Sequence, residues 1–102
     1  MPLYMTQFSY TADGWRALVK NPHDQVEGLR KLFTKLGGNL LSLHYSFGEY
    51  DSLILAEAPD ETIMTSVLLS VISDAHVKST KTTVLMTPDQ AVKSMRRAAE
   101  LE

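Results

Sequence analysis

The stretch GEYD at residues 48–51 decides the fold that this sequence predicts. It separates two apolar runs, residues 40–47 and residues 53–56, each of a length that suits one strand. A glycine followed by charged and polar residues between two such runs is typical of a hairpin connection. The remaining elements are arranged symmetrically about this turn: strand, helix and strand before it, and strand, helix and strand after it.

Two of the four predicted strands have the pattern of central strands. Residues 3–10 alternate with period two, and both faces carry apolar side chains; one face holds Tyr4, Thr6, Phe8 and Tyr10. Residues 53–56 are apolar on both faces, which is typical of a strand covered on both sides.

The other two strands have the pattern of edge strands. Residues 77–86 begin with a polar, lysine-bearing half, which discourages unwanted pairing at a sheet edge. Residues 40–47 alternate between two sets of side chains. The alternation predicts one face with Leu41, Leu43, Tyr45 and Phe47, and an opposite face with Leu40, Ser42, His44 and Ser46.

Capping signals predict where the helices begin. Thr11 is the expected N-cap of a short helix over 12–20, and Asn21-Pro22 is expected to restart a helix that Gly37-Gly38 ends. Asp60 is the expected cap of a strongly apolar helix. A capping box at 87–90 predicts a C-terminal helix whose weak apolar face must dock on its own domain or on a partner.

This order of elements, β-α-β-β-α-β with a final helix, is that of the ferredoxin-like α+β arrangement. It predicts a four-stranded antiparallel sheet in the order 4-1-3-2 with both helices on one face. We expect one domain over residues 1–102, with its core at 2–87 and the C-terminal helix at 88–101. The open sheet face would expose apolar groups, which predicts a homo-oligomer, a dimer or higher, assembled through that face as a dimeric α+β barrel.

Composition excludes several classes of protein. The 102 residues carry a net charge of −2 and no cysteine, so the sequence offers no disulfide framework, thiolate metal site or cysteine nucleophile. The sequence has no basic stripe of the kind that binds nucleic acid, so no nucleic-acid partner is expected. With no visible signal peptide and no apolar run long enough to span a bilayer, we expect a cytoplasmic protein without a membrane partner.

Four landmarks carry a resemblance to a known family: MPLY at 1–4, the paired glycines at 37–38, GEYD at 48–51 and EAPD at 57–60. Together, at these spacings, they resemble the GYD domain family, and the resemblance covers roughly residues 2–87. It implies a ferredoxin-like, dimeric α+β barrel fold in bacterial cytoplasmic proteins. The biochemical function of that family is not established, so the resemblance implies shape rather than chemistry.

His44 is the only candidate catalytic residue. It shares a strand face with Ser42 and Ser46, and that face lies toward either a barrel lumen or solvent. In a lumen with tyrosines nearby it is a candidate general base or ligand-binding group. The simpler interpretation is an ordinary, half-exposed strand histidine.

The other candidate ligand-binding residues are Tyr45, beside His44 in the chain, and Tyr50 and Asp51 of the turn. Tyr50 and Asp51 have two interpretations. In one they form the rim of a cavity mouth. In the other Asp51 accepts backbone N–H hydrogen bonds that fix the turn while Tyr50 covers the edge of the core.

No metal site or cofactor is expected. His23 is expected in the first turn of a helix, and His44 and His76 lie on opposite edges of the predicted sheet, too far apart to share a metal within one chain. No histidine spacing typical of a metal site and no glycine-rich phosphate loop is present.

Three functions remain open from the sequence. The first is an oligomeric domain that binds a small apolar or aromatic metabolite between stacked sheets. The second is a cofactor-free barrel enzyme of the monooxygenase or isomerase type, with His44 and tyrosines in proton transfer. The third is a purely structural or protein-interaction domain.

Overall fold

The computed structural model describes residues 1–22 and 24–102. These residues form the strands β1 (Leu3–Tyr10), β2 (Asn39–Tyr45), β3 (Ser52–Glu57) and β4 (Val77–Leu85), and the helices α1 (Ala12–Lys20), α2 (Val26–Lys35), α3 (Glu61–Ile72) and α4 (Pro88–Ala99). All three strand pairs are antiparallel, and the sheet order is β2-β3-β1-β4. This is the predicted 4-1-3-2 order read from the other edge, so the ferredoxin-like α+β prediction is confirmed.

The core lies between one face of the sheet and the helices α2 and α3. Phe33 of α2 and Met64 and Val67 of α3 pack against this face; the buried apolar strand residues beneath them are Tyr4, Phe8, Leu40, Ile54 and Ala56. Their alternation along β1 and β3 places the odd-numbered residues of both strands on the opposite face. That open face carries Leu3, Met5, Leu53, Leu55 and Leu85, all of which remain partly exposed.

The predicted alternation of β2 is wrong at its start. The pairing with β3 shifts between Leu40 and Ser42, so Leu41 is an extra residue in the strand. Leu40 pairs with Ala56 and Leu43 with Ile54, and both leucines contact the core under the helices. Leu40 therefore does not share a face with Ser42 and His44.

The caps of three helices agree with the prediction, and that of α2 does not. The side chains of Thr11, Asp60 and Thr87 accept hydrogen bonds from Gly14 N, Ile63 N and Gln90 N. The expected start at Asn21-Pro22 is wrong because Asn21 ends α1 instead, donating its N–H to Ala17 O. Asp24 then accepts from Val26 N at 2.9 Å, and α2 begins at Val26. The expected position of His23 in a helix lies outside the described residues.

The paired glycines end α2 with two crossed hydrogen bonds. Gly37 N donates to Thr34 O and Gly38 N donates to Phe33 O, which is the Schellman arrangement, and Gly37 has a φ of 85°. A Cβ at Gly38 would lie 2.5 Å from Glu57 O. The second glycine is thus needed where the chain passes β3 closely.

Helix α4 extends away from the rest of the molecule. It buries none of its residues completely, and Ala91 is its only partly buried residue. The molecule measures 57 × 30 × 19 Å with a radius of gyration of 16.0 Å; a compact chain of this length has about 13 Å. No helix of the described chain is long and apolar enough to cross a membrane.

Candidate functional site

The GEYD turn is tied to the central strand by its last residue. Asp51 Oδ2 accepts a hydrogen bond from Tyr10 N at 2.8 Å, and Asp51 N donates to Phe8 O at 2.8 Å. Within the turn, Ser46 Oγ donates to Tyr50 O at 2.6 Å and Gly48 N donates to the same oxygen at 3.1 Å. Asp51 therefore holds the hairpin against the end of β1.

His44 lies on the open face of the sheet, away from the helices. It pairs with Leu53 of β3, next to Gln7 of β1, and it is exposed. His76 precedes β4 at the opposite edge of the sheet, and its Nδ1 lies 3.4 Å from Asp74 Oδ1. The structure does not bring these two histidines together within one chain.

A cavity of about 380 Å³ lies between the helices and the sheet, on the face that His44 does not share. Residues of all three packed helices, α1, α2 and α3, line it together with residues of the strands. Its apolar lining comes from Phe8, Leu18, Leu29, Leu32, Leu43, Val71 and Val77. Tyr50 and Asp51 do not line this cavity.

A polar cluster of Tyr10, Gln25, Ser52 and Tyr45 lies at this cavity, and the first three of these residues line it. The hydroxyls of Tyr10 and Ser52 are 2.7 Å apart, and Ser52 is only 1% exposed. Tyr10 Oη donates to Gln25 Oε1 at 3.4 Å, and Tyr45 Oη donates to the same oxygen at 3.2 Å. An apolar cavity with a few convergent polar groups is typical of a small-molecule site.

Burial raises the pKa of both tyrosines of this cluster. For Tyr10 the hydrogen bond from Ser52 opposes the effect of burial on the pKa, while the charges of Tyr45 and Asp51 add to it. For Tyr45 the carboxylate of Asp24 adds to the effect of burial. Both phenols are therefore neutral hydrogen-bonding groups at physiological pH.

Next to the cavity, three aromatic side chains form an exposed groove. Trp15 stacks on Phe47 with ring centroids 5.7 Å apart, and Tyr45 lies 6.3 Å from Phe47. Phe47 is 77% exposed and has a φ of 47°, a backbone conformation that is unfavourable for a bulky residue. Trp15 also contacts Tyr10 edge-on at 5.1 Å, which connects the groove to the polar cluster.

Of the residues singled out in the sequence as candidate site residues, Tyr45 alone belongs to the polar cluster. Sequence reasoning missed Tyr10, Gln25 and Ser52 as members of a site. One signal was available for Ser52: counting back in twos from the inward-facing Ile54 places a serine on the core side of β3. A polar residue at such a position needs a hydrogen-bonding partner.

The described residues contain no group of three or more histidine, aspartate or glutamate side chains placed to hold a metal ion.

Comparison with known proteins gives a family and a fold. A family model described as GYD domain matches residues 4–95. No curated protein matches the chain. Three solved structures share the fold, and the first is FFRP-DM1, with a TM-score of 0.57 and 14% identity, covering 84% of this chain and 100% of that one. TTHA0845 from Thermus thermophilus has a TM-score of 0.56 and 16% identity, covering 85% of this chain and 95% of that one. The transcriptional regulator NMB0573/L-Met complex from Neisseria meningitidis has a TM-score of 0.55 and 17% identity, covering 85% of this chain and 51% of that one. At these identities the similarity shows the fold alone.

Proposed function

The chain belongs to the GYD domain family, and on that premise we propose that it is a homodimeric domain that binds a small, mostly apolar molecule. The binding site is the cavity between the helices and the sheet. The observation that supports this proposal is a cavity of about 380 Å³ with the Tyr10–Ser52–Gln25 cluster in its lining.

Size and lining both suit a small ligand. Sites for small molecules are commonly clefts of roughly 300–1,000 Å³ that are mostly apolar and carry a few placed polar groups. The transcriptional regulator from Neisseria meningitidis with the same fold is a complex with L-Met. This chain covers 51% of that regulator, and what supports a ligand in this chain is its own cavity.

The dimer is proposed from the open face of the sheet. Helices α1, α2 and α3 lie on the other face, and α4 buries no residue of its own. The leucines at 3, 53, 55 and 85, with Met5 among them, form a partly exposed apolar surface across three strands. Stacking two such faces removes this surface from water. A second ligand space between the stacked sheets, as expected from the sequence, would need that dimer and stays a prediction.

Filling the cavity tests the binding function. A Cβ at Gly28 of α2 meets no atom within 4 Å, although the residue lines the cavity. Gly28→Leu is therefore expected to occupy part of the cavity without a clash. Binding would be measured by NMR titration with a panel of small, neutral aromatic and aliphatic compounds.

The matched control is Lys31→Leu, which introduces the same leucine side chain in place of an exposed lysine of α2 that does not line the cavity. We expect wild type and Lys31→Leu to bind the same compounds and Gly28→Leu to bind them at least roughly tenfold more weakly. Equal binding by Gly28→Leu would place the ligand elsewhere and contradict the proposal.

A further inference from the structure

We infer that the ligand of this cavity is a neutral molecule with an apolar body and a hydrogen-bond acceptor such as a carbonyl oxygen, and that the side-chain amide of Gln25 recognises this acceptor. The inference rests on the proposed function, because it names the ligand class of the same cavity.

Counting protons in the polar cluster identifies the group that is left to bind a ligand. Each hydroxyl has one proton to donate. Tyr10 and Tyr45 both donate to Gln25 Oε1, at 3.4 and 3.2 Å. Since the Tyr10 proton is used in this way, Ser52 is the donor in its 2.7 Å hydrogen bond with Tyr10. All three hydroxyl protons are thus taken, and both lone pairs of Gln25 Oε1 are occupied.

The remaining donor is Gln25 Nε2, which carries two hydrogens. Within residues 1–22 and 24–102, every interaction found for Gln25 involves its Oε1 or its backbone, so Nε2 makes no hydrogen bond there. The two tyrosines fix the orientation of the amide by holding its oxygen. Because Gln25 lines the cavity, a ligand acceptor placed there would complete the hydrogen bonding of the cluster.

The charges around the cavity disfavour an anionic acceptor. Among the described lining residues there is no lysine or arginine. The lining instead includes the carboxylate of Asp74, and Asp51 lies near enough to Tyr10 for its charge to raise the pKa of that phenol. When His76 is protonated, its charge is paired with Asp74 at 3.4 Å. A ligand carboxylate placed in the apolar part of the cavity would have no lysine or arginine beside it among the described lining residues, which is unfavourable.

Three compounds of the same shape test this ligand class: acetophenone, cumene and benzoate. All three contain a phenyl ring. Acetophenone adds a neutral acceptor, cumene adds no acceptor and benzoate adds an anionic acceptor. Affinities for the wild-type protein would be measured by NMR titration, and the side-chain amide signals of Gln25 report directly on the proposed hydrogen bond. We expect acetophenone to bind roughly three- to tenfold more tightly than cumene, the ratio typical of one net hydrogen bond. Benzoate is expected to bind at least roughly tenfold more weakly than acetophenone.

Two variants assign the effect to the amide. Gln25→Glu keeps acceptor oxygens for the two tyrosines and removes the N–H donors, while Gln25→Met removes both and keeps a neutral side chain of similar length. We expect both variants to lose the preference for acetophenone over cumene, and Gln25→Met to retain cumene binding.

The outcomes separate the ligand class from the function. If none of the three compounds binds the wild-type protein at millimolar concentration, the proposed binding function itself fails. If acetophenone and cumene bind equally, or benzoate binds best, the cavity binds ligands but the inferred class is wrong. A preference for acetophenone that survives in Gln25→Met would show that Gln25 does not recognise the acceptor.

Discussion

At the scale of single residues, Asp51 stabilises the position of the GEYD turn. Its carboxylate accepts the N–H of Tyr10 at 2.8 Å. We expect Asp51→Ala to lower the free energy of unfolding by about 1–3 kcal/mol, since the partly buried N–H loses an ionised partner. Asp51→Asn keeps an acceptor oxygen and should lower the free energy of unfolding by a smaller amount.

The control for Asp51 is its neighbour Glu49, an exposed residue of the same turn. Glu49→Ala is expected to change the free energy of unfolding by less than about 0.5 kcal/mol. Urea denaturation of the wild-type protein and the three variants measures all these values. Equal stability of the Asp51→Ala and Glu49→Ala variants would show that Asp51 does not stabilise the hairpin.

The raised pKa of Tyr10 predicts how stability depends on alkaline pH. The folded state holds the phenol proton more tightly than the unfolded state, whose pKa is near 10.0. The resulting stabilisation is complete below the unfolded-state pKa and is lost as the pH rises through the higher, folded-state pKa. As the pH is raised through this alkaline range, the wild-type protein should therefore lose more stability than Tyr10→Phe, as measured by urea denaturation. A loss of the same size in both proteins would assign the alkaline sensitivity to other groups.

At the scale of elements, Gly14 sets how closely α1 approaches the start of β4. A Cβ at this position would lie 2.5 Å from His76 O, and the backbone there is fixed by the Thr11 N–H donated to the same oxygen. Gly14→Ala is thus expected to destabilise the fold by roughly 1–3 kcal/mol. Gly28→Ala in α2 meets nothing within 4 Å and should stabilise it by about 0.5–1 kcal/mol. Thermal or urea unfolding tests both predictions, because the two substitutions should change the free energy of unfolding in opposite directions. A stabilising effect of Gly14→Ala would show that α1 can shift away from His76.

The elements that sequence predicted well are those with local signals. Strand β1 and the starts of α1, α3 and α4 depend on alternation or on a cap within three residues, and they agree with the structure. The extra residue in β2 was not predictable in this way, because a bulge is defined by how two strands pair. The polar cluster was missed for a similar reason, since Tyr10 lies 15 residues from Gln25 and 42 from Ser52 in the chain. The strand order, by contrast, followed from the succession of elements and from which strands are apolar on both faces.

At the scale of the whole molecule, the open sheet face predicts the oligomeric state. We expect light scattering at micromolar concentration to give twice the chain mass of 11.4 kDa. Leu55→Lys places a charge in the middle of the open face and should yield a monomer. Leu69→Lys, on an exposed position of α3, should remain a dimer. A monomeric wild-type protein would contradict the proposed dimer.

The monomeric Leu55→Lys variant also tests what stabilises α4. Within one chain this helix buries no residue, and a helix of 12 residues is marginal in water by itself. In the Leu55→Lys monomer we therefore expect the amides of α4 to exchange with solvent at nearly unprotected rates. Removing residues 88–102 from that variant should change its free energy of unfolding by less than about 0.5 kcal/mol. If the wild-type protein forms the proposed dimer and α4 docks on the second copy, the same amides should be protected there, so that the two exchange profiles differ in this helix. Strong protection of α4 in the monomer would instead mean that it packs on its own chain, and the apolar open face is the surface that it would then cover.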